Sequence, residues 1–304
     1  MSHHPTLLAQ FRSFYRQNAL MDLERAIEYF SVFGGTHWSI DTTQPLLKLI
    51  EHKILKNYPY IHVDITKLTH SNKHVHAILS ACATGDRRIF SSFKRARLSR
   101  EEGNEALHTL LRSGLVEREY SLERPLREED DNSDKLNFNA PFMRFWFAFV
   151  SPYYKSIKEN DFSEVKKAFE NHQHAFSSLI FIQLSQAFLQ QSFIEDSIVE
   201  VGSYWDKNCE IDILAKTKSG KLIAGSCKYT NTKVKKSELS SLREKCALAE
   251  FEPDMLVIFS KSGFSAELKA LKNETLKLFT CKSLKPLVES IHDKEILSCV
   301  GKKY

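Results

Sequence analysis

The chain holds no apolar run of membrane-spanning length, which argues against a transmembrane helix. Its start, Met1-Ser2-His3-His4-Pro5, lacks the charged opening and apolar core of a secretory signal, so a cytoplasmic location is expected. None of the six cysteines (Cys82, Cys209, Cys227, Cys246, Cys281 and Cys299) forms a C-x-x-C pair. Several sit at apolar-periodic positions, so reduced, buried thiols are expected. His74-Val75-His76 and His172-Gln173-His174 have no cysteine or carboxylate framework at zinc spacing and read as structural or solvated histidines. No G-x-x-x-x-G-K-[ST] phosphate loop occurs, so no ATP site and no ATP hydrolysis are expected. Internal repeats and low-complexity tracts are missing as well.

What is present fits a globular protein. The chain has 304 residues, enough for two or three domains, with 42% hydrophobic and 27% charged residues. A net charge of +5 is compatible with a nucleic-acid partner. The charge is unevenly spread. Between Ser71 and Arg100 lie Lys73, Arg87, Arg88, Lys94, Arg95, Arg97 and Arg100 against Asp86 alone. Between Glu117 and Asp134 the balance reverses, and Glu128-Glu129-Asp130-Asp131 reads as a solvated loop.

Residues 1–70 read as helical. Leu7, Leu8, Phe11 and Phe14 recur at helical spacing, as do Leu23, Ala26, Ile27 and Phe30, and Gly34-Gly35 ends the second helix. A third begins after Pro45. Residues 71–150 give three short helices and a hairpin. Ile78, Leu79 and Cys82 mark the first, and Ile89, Phe90 and Phe93 the second. Ser99-Arg100-Glu101-Glu102 is a capping box that opens the third, which stops at Gly114. Leu115–Tyr120 and Leu136–Phe138 are the two strands. This is the winged-helix order, a helix-turn-helix variant. In that motif Arg87, Arg88, Lys94, Arg95, Arg97 and Arg100 suit phosphate contacts, Asn104 and His108 could reach base edges, and Arg112 could reach a phosphate. Glu101, Glu102 and Glu105 would repel phosphates, which leaves protein contact as the rival use. The aromatic run Pro141–Val150 is too uniformly apolar for an exposed stacking platform and reads as a buried connection. Tyr153–Asn160 reads as a linker.

Residues 160–290 read as helix, three strands, helix, strand, with 291–304 as a tail. Glu210–Leu214 and Leu222–Lys228 are neighbouring strands turning near Ser219-Gly220. Strand alternation puts Glu210 and Asp212 on one face, and Ser226 and Lys228 on one face of the next strand. Asp212 and Lys228 can then share a cleft. A carboxylate there can hold a Mg²⁺ ion, and a lysine can orient water or stabilise developing charge during phosphodiester cleavage. A cross-strand salt bridge is the alternative reading.

Trp205–Leu214 and Gly225-Ser226-Cys227-Lys228-Tyr229 resemble the PD-(D/E)XK nuclease-like domain, a domain of unknown function, that ends archaeal-type AAA ATPases. Leu136–Phe138 through Phe145–Phe147 is similar to that family's strand and aromatic segment after a winged helix, and Glu28–Gly35 resembles its helical lid. The resemblance implies a catalytic set of Asp212 and Lys228 with a carboxylate two residues before the lysine. Here that position is Ser226. A helix glutamate implied near Phe181-Ile182-Gln183 corresponds to Ile182. Asp212 remains as the metal ligand, with Glu210 and Glu200 as the stand-ins on offer, a set that holds Mg²⁺ weakly. The expected fold is therefore a helical lid-like segment, a winged helix-turn-helix and a restriction-endonuclease-like α/β core. The expected function is DNA binding with a degenerate nuclease-like domain. An active Mg²⁺-dependent endonuclease is one alternative, and a protein-interaction module working with a separate ATPase is another.

Overall fold

The computed structural model describes residues 5–20, 22–122 and 134–289. The acidic run Glu128–Asp131, Cys299 and the 291–304 tail lie outside the described residues. Among the described residues no helix is long and apolar enough to cross a membrane.

The N-terminal part is helical because its apolar residues repeat at turn spacing and its ends are capped. Helices α1 (Leu7–Gln17) and α2 (Leu23–Phe33) open on Thr6 and Asp22, whose side chains accept the N–H groups of Ala9 and Glu24. After Pro45 come α3 (Leu46–Leu49), a π-helical turn (Ile50–Leu55) and α4 (Tyr58–Leu68). Helices α5 (Lys73–Thr84), α6 (Ile89–Arg95) and α7 (Arg100–Ser113) follow, then strands β1 (Val116–Glu119) and β2 (Lys135–Phe138), which pair antiparallel. The capping box forms: Ser99 Oγ accepts the Glu102 N–H, and Glu102 Oε2 accepts the Ser99 N–H. Gly114 ends α7 at φ 68°, a left-handed conformation that suits glycine.

The aromatic run is a helix, α8 (Pro141–Phe145), continued by a π-helical turn (Trp146–Val150). Phe145 and Phe149 meet Phe169 and Phe176 of the next long helix edge-on, at centroid distances of 5.0 to 6.4 Å. The expected linker is helical instead: a 3₁₀ turn (Ser151–Tyr153) runs into α9 (Tyr154–Lys158), pinned by the buried Ile157.

The C-terminal part carries α10 (Ser163–Ser192) and strands β3 (Ile198–Trp205), β4 (Glu210–Thr217) and β5 (Leu222–Lys228). Helix α11 (Lys236–Leu248) then leads to β6 (Met255–Ser260), α12 (Ala266–Ala270), β7 (Leu276–Thr280), a 3₁₀ turn (Cys281–Leu284) and α13 (Pro286–Glu289). The sheet order is β3-β4-β5-β6-β7. The first three strands are antiparallel, while β6 and β7 run parallel to β5, so α11 forms the crossover that a parallel pair requires. Both faces are covered. Ile213, Ala215, Ile223, Val257 and Phe259 pack with Phe181 and Phe188 of α10. Leu214, Ala224, Leu256 and Ile258 pack under Leu239, Leu242 and Cys246 of α11. Gly225 sits where a Cβ would come 2.5 Å from Val257 Cγ2, so the bare backbone is what lets β5 and β6 close up.

The N-terminal helices do not form a core of their own. One apolar cluster runs from Phe11 through the aromatic run to Val288. Tyr229 Oη donates to the Glu24 carbonyl at 3.0 Å, Lys261 Nζ pairs with Glu28 at 2.8 Å, and Arg12 Nε donates to the Leu287 carbonyl at 2.7 Å. Four cysteines, Cys82, Cys227, Cys246 and Cys281, are buried and unbridged, and Cys209 is half-buried and also unbridged. Burial pushes the Cys82 and Cys246 thiols up to about 11.

Candidate functional site at the end of strands β4 and β5

The backbone ladder between β4 and β5 reaches as far as Ile213 and Gly225. One step beyond it, Asp212 lies beside Ser226. There the Asp212 carboxylate replaces the ladder: its Oδ2 accepts the Cys227 N–H at 2.7 Å and lies 3.4 Å from Ser226 Oγ. Burial pushes the Asp212 carboxyl above the usual carboxylate range, and the Cys227 N–H and the Lys228 ammonium oppose that rise.

The Asp212 backbone is held separately. The β3–β4 register shifts between Gly202 and Tyr204, a bulge of the kind that re-aims side chains. Ser203 Oγ donates to the Asp212 carbonyl at 2.9 Å, and Gln186 Nε2 donates to the same oxygen at 2.9 Å. The α10 side chain that reaches Asp212 is thus an amide, one turn beyond the position where the resemblance implied a glutamate. Ile182 is partly buried and packs into the apolar cluster.

Lys228 does reach the same cluster, through a residue that no local motif singles out. Its Nζ lies 3.2 Å from Oε1 of Glu238, in the first turn of α11. That same oxygen accepts the Ser226 hydroxyl at 2.6 Å. Asp212, Ser226, Glu238 and Lys228 therefore form one chain of contacts between β4, β5 and α11. Ser226 is buried, whereas the Lys228 side chain is 36% exposed and can meet a ligand from solvent. Cys227 points to the opposite face, where burial pushes its thiol well above the ordinary range.

Neither stand-in carboxylate joins the cluster. Glu210 turns to Lys135 of β2, Oε1 to Nζ 2.6 Å, with the ammonium also 4.4 Å from the Trp205 ring centroid. Glu200 is exposed on β3, opposite Lys216. Among the described residues no group of three or more His, Cys, Asp or Glu is arranged to hold a metal ion. The cluster offers two carboxylates and a hydroxyl. These hard oxygen donors suit a Mg²⁺ that keeps most of its waters, and they do not suit a zinc-type ion.

The basic stretch divides into two parts. Arg87 turns inward and is buried: its guanidinium is bonded to Glu119 at 2.8 Å and to Asn137. Arg88 is half-buried and donates to the Asp206 carbonyl at 2.9 Å, tying α6 to the sheet. Lys94, Arg95, Arg97 and Arg100 are exposed. Arg95 donates to Thr84 Oγ1, and Arg100 lies 4.6 Å from the Phe90 ring centroid. Asn104, His108 and Arg112 are exposed at four-residue spacing on α7, interleaved with exposed Glu101 and Glu105.

Sequence reasoning missed Glu238, Gln186, Ser203 and Lys135. Glu238 alone carried a usable signal. It lies ten residues after Lys228 and opens the helix that must fold back over β5.

A family model described as Archaea bacterial proteins of unknown function (DUF234) matches residues 146–240. That span runs from the aromatic segment to the first turns of α11 and contains Asp212, Ser226, Lys228 and Glu238. No curated protein and no solved structure matches the chain. By this comparison the chain is similar, from Trp146 to Ser240, to a family of archaeal and bacterial proteins of unknown function.

Proposed function

We propose that the protein acts on DNA. In this reading α5–α7 with β1 and β2 form a winged helix, and the C-terminal sheet is a PD-(D/E)XK nuclease-like unit that hydrolyses phosphodiester bonds at the Asp212–Lys228 cleft. The resemblance to the C-terminal part of archaeal-type AAA ATPases supports both assignments. The observation that carries the reading is the chain of contacts that links Asp212 to Lys228, on adjacent strands, through Ser226 and Glu238.

Hydrolysis adds a water oxygen to phosphorus and breaks one P–O ester bond. The proton lost by the water balances the one gained by the departing hydroxyl. The half-exposed Lys228 ammonium can swing to a phosphoryl oxygen and stabilise the charge that develops there. Asp212 offers its carboxylate as a hard ligand, held by the Cys227 N–H, while Gln186 and Ser203 fix the Asp212 backbone carbonyl. Mg²⁺, when bound, supplies charge neutralisation and a more acidic water. Lys94, Arg95, Arg97 and Arg100 supply phosphate contacts that position the duplex without reading its sequence.

The test is incubation of end-labelled duplex DNA with the protein and Mg²⁺, beside an Asp212→Asn control. Cleavage that depends on Asp212 supports the reading, and equal cleavage by the variant removes this site from it. A second reading, DNA binding without turnover, is favoured by the Lys228–Glu238 ion pair, which occupies the ammonium. It is expected to show salt-dependent binding and intact DNA.

A further inference from the structure

We propose that Glu238 supplies the second carboxylate of the cleft, the one position 226 lacks, and that with Asp212 it holds a divalent cation. This rests on the phosphodiesterase reading and assigns a residue to it. Three observations converge. Glu238 Oε1 lies 2.6 Å from Ser226 Oγ and 3.2 Å from Lys228 Nζ, so a carboxylate from α11 stands over the short side chain of β5. Its side chain is only 17% exposed and turns toward the sheet. A carboxylate at 226 and another at 238 would crowd like charges in one place, so serine in one position and glutamate in the other are complementary. The helix macrodipole favours an acid in the first turn of α11, yet a dipole asks for no inward hydrogen bond to a buried serine.

Lys228 fits the same arrangement. Its ammonium lies 3.2 Å from Glu238 Oε1 and would compete with a cation for that oxygen. Binding of a cation there would free the Lys228 ammonium, whose side chain is 36% exposed, to meet a phosphoryl oxygen. Only two carboxylates are involved, and a Mg²⁺-class ion completes its shell with waters and phosphate oxygens.

The test is calorimetric titration of the full chain with Mn²⁺ alone, run beside duplex cleavage. Glu238→Gln is expected to weaken Mn²⁺ binding by at least about tenfold, the lower end of what losing even an outer-shell partner costs. Adding Ser226→Glu to that variant is expected to restore the binding. Lys228→Met is expected to tighten it by removing the competing ammonium, and this arm stands if Glu238→Gln fails to fold. Wild-type protein that binds Mn²⁺ and cleaves, with Glu238→Gln unchanged in both, overturns this inference and leaves the Asp212–Lys228 site intact. Weaker Mn²⁺ binding by Lys228→Met overturns it as well. Wild-type protein that neither binds Mn²⁺ nor cleaves overturns both readings.

Discussion

Asp212 accepts the Cys227 backbone N–H at 2.7 Å, so a carboxylate, in place of a strand carbonyl, satisfies the donor at the open end of the β4–β5 ladder. Burial nevertheless pushes its carboxyl above the ordinary range. Between the ordinary value and the raised one, the folded state binds more protons than the unfolded state. The stability contribution is therefore full at low pH and is lost as pH rises through that window. Asp212→Asn keeps an acceptor for the N–H and removes the charge. Thermal melts should show the variant melting above wild type at pH 8, with the gap closing once the wild-type carboxyl is protonated. A variant that melts lower at pH 8 contradicts this account of the residue.

Lys135 and Glu210 join the hairpin to the sheet asymmetrically. The lysine side chain is 2% exposed and the glutamate side chain 46%. Removing the glutamate strands a buried ammonium, whereas removing the lysine leaves a carboxylate in water. Glu210→Ala should cost about 2 kcal/mol, a buried-pair figure discounted for solvent at the glutamate. Lys135→Met should cost less. Urea denaturation of the two variants decides the order, and equal or reversed costs contradict it.

Gly225 faces Val257 across the β5–β6 pair. A methyl group there meets Val257 Cγ2 at 2.5 Å and Ile213 Cβ at 3.1 Å. Gly225→Ala should cost about 1–3 kcal/mol through overpacking. Pairing it with Val257→Ala should recover part of that cost, so the two changes should be non-additive in denaturant melts.

On the proposed reading, the basic side chains from the end of α6 to the start of α7 set the salt dependence of DNA binding. Replacing any one of Lys94, Arg95, Arg97 or Arg100 that touches a phosphate should reduce the slope of log K against log salt by about 0.9. Arg87→Met should leave the slope unchanged and lower stability instead, because that guanidinium bonds Glu119 and Asn137 inside the fold. Fluorescence anisotropy over a salt series separates the two outcomes.

Local patterns made much of this architecture legible. The Ser99 capping box, Gly114, and the alternation through Glu210, Ile211, Asp212 and Ile213 each speak from a few neighbouring residues. Strand β7 and helix α12 went unread, being short and without a strong period. The helix within Tyr153–Asn160 was hidden because Ile157 is its only buried residue. In the cluster, Asp212, Ser226 and Lys228 were readable from strand alternation. The Lys228–Glu238 contact depends on how α11 returns over β5, which no local spacing encodes. The same limit explains Arg87 and Glu210. Both carry ordinary surface charges in sequence, and both find partners about 50 and 75 positions away in the chain.

The most direct measurement is single-turnover cleavage of duplex DNA in Mg²⁺ by wild-type protein, Asp212→Asn and Lys228→Met, each first shown to bind the duplex. A phosphodiesterase centred on Asp212 and Lys228 predicts strand scission by wild type and its disappearance in both variants at unchanged duplex affinity. Intact DNA with wild type, or scission that survives both substitutions, contradicts it.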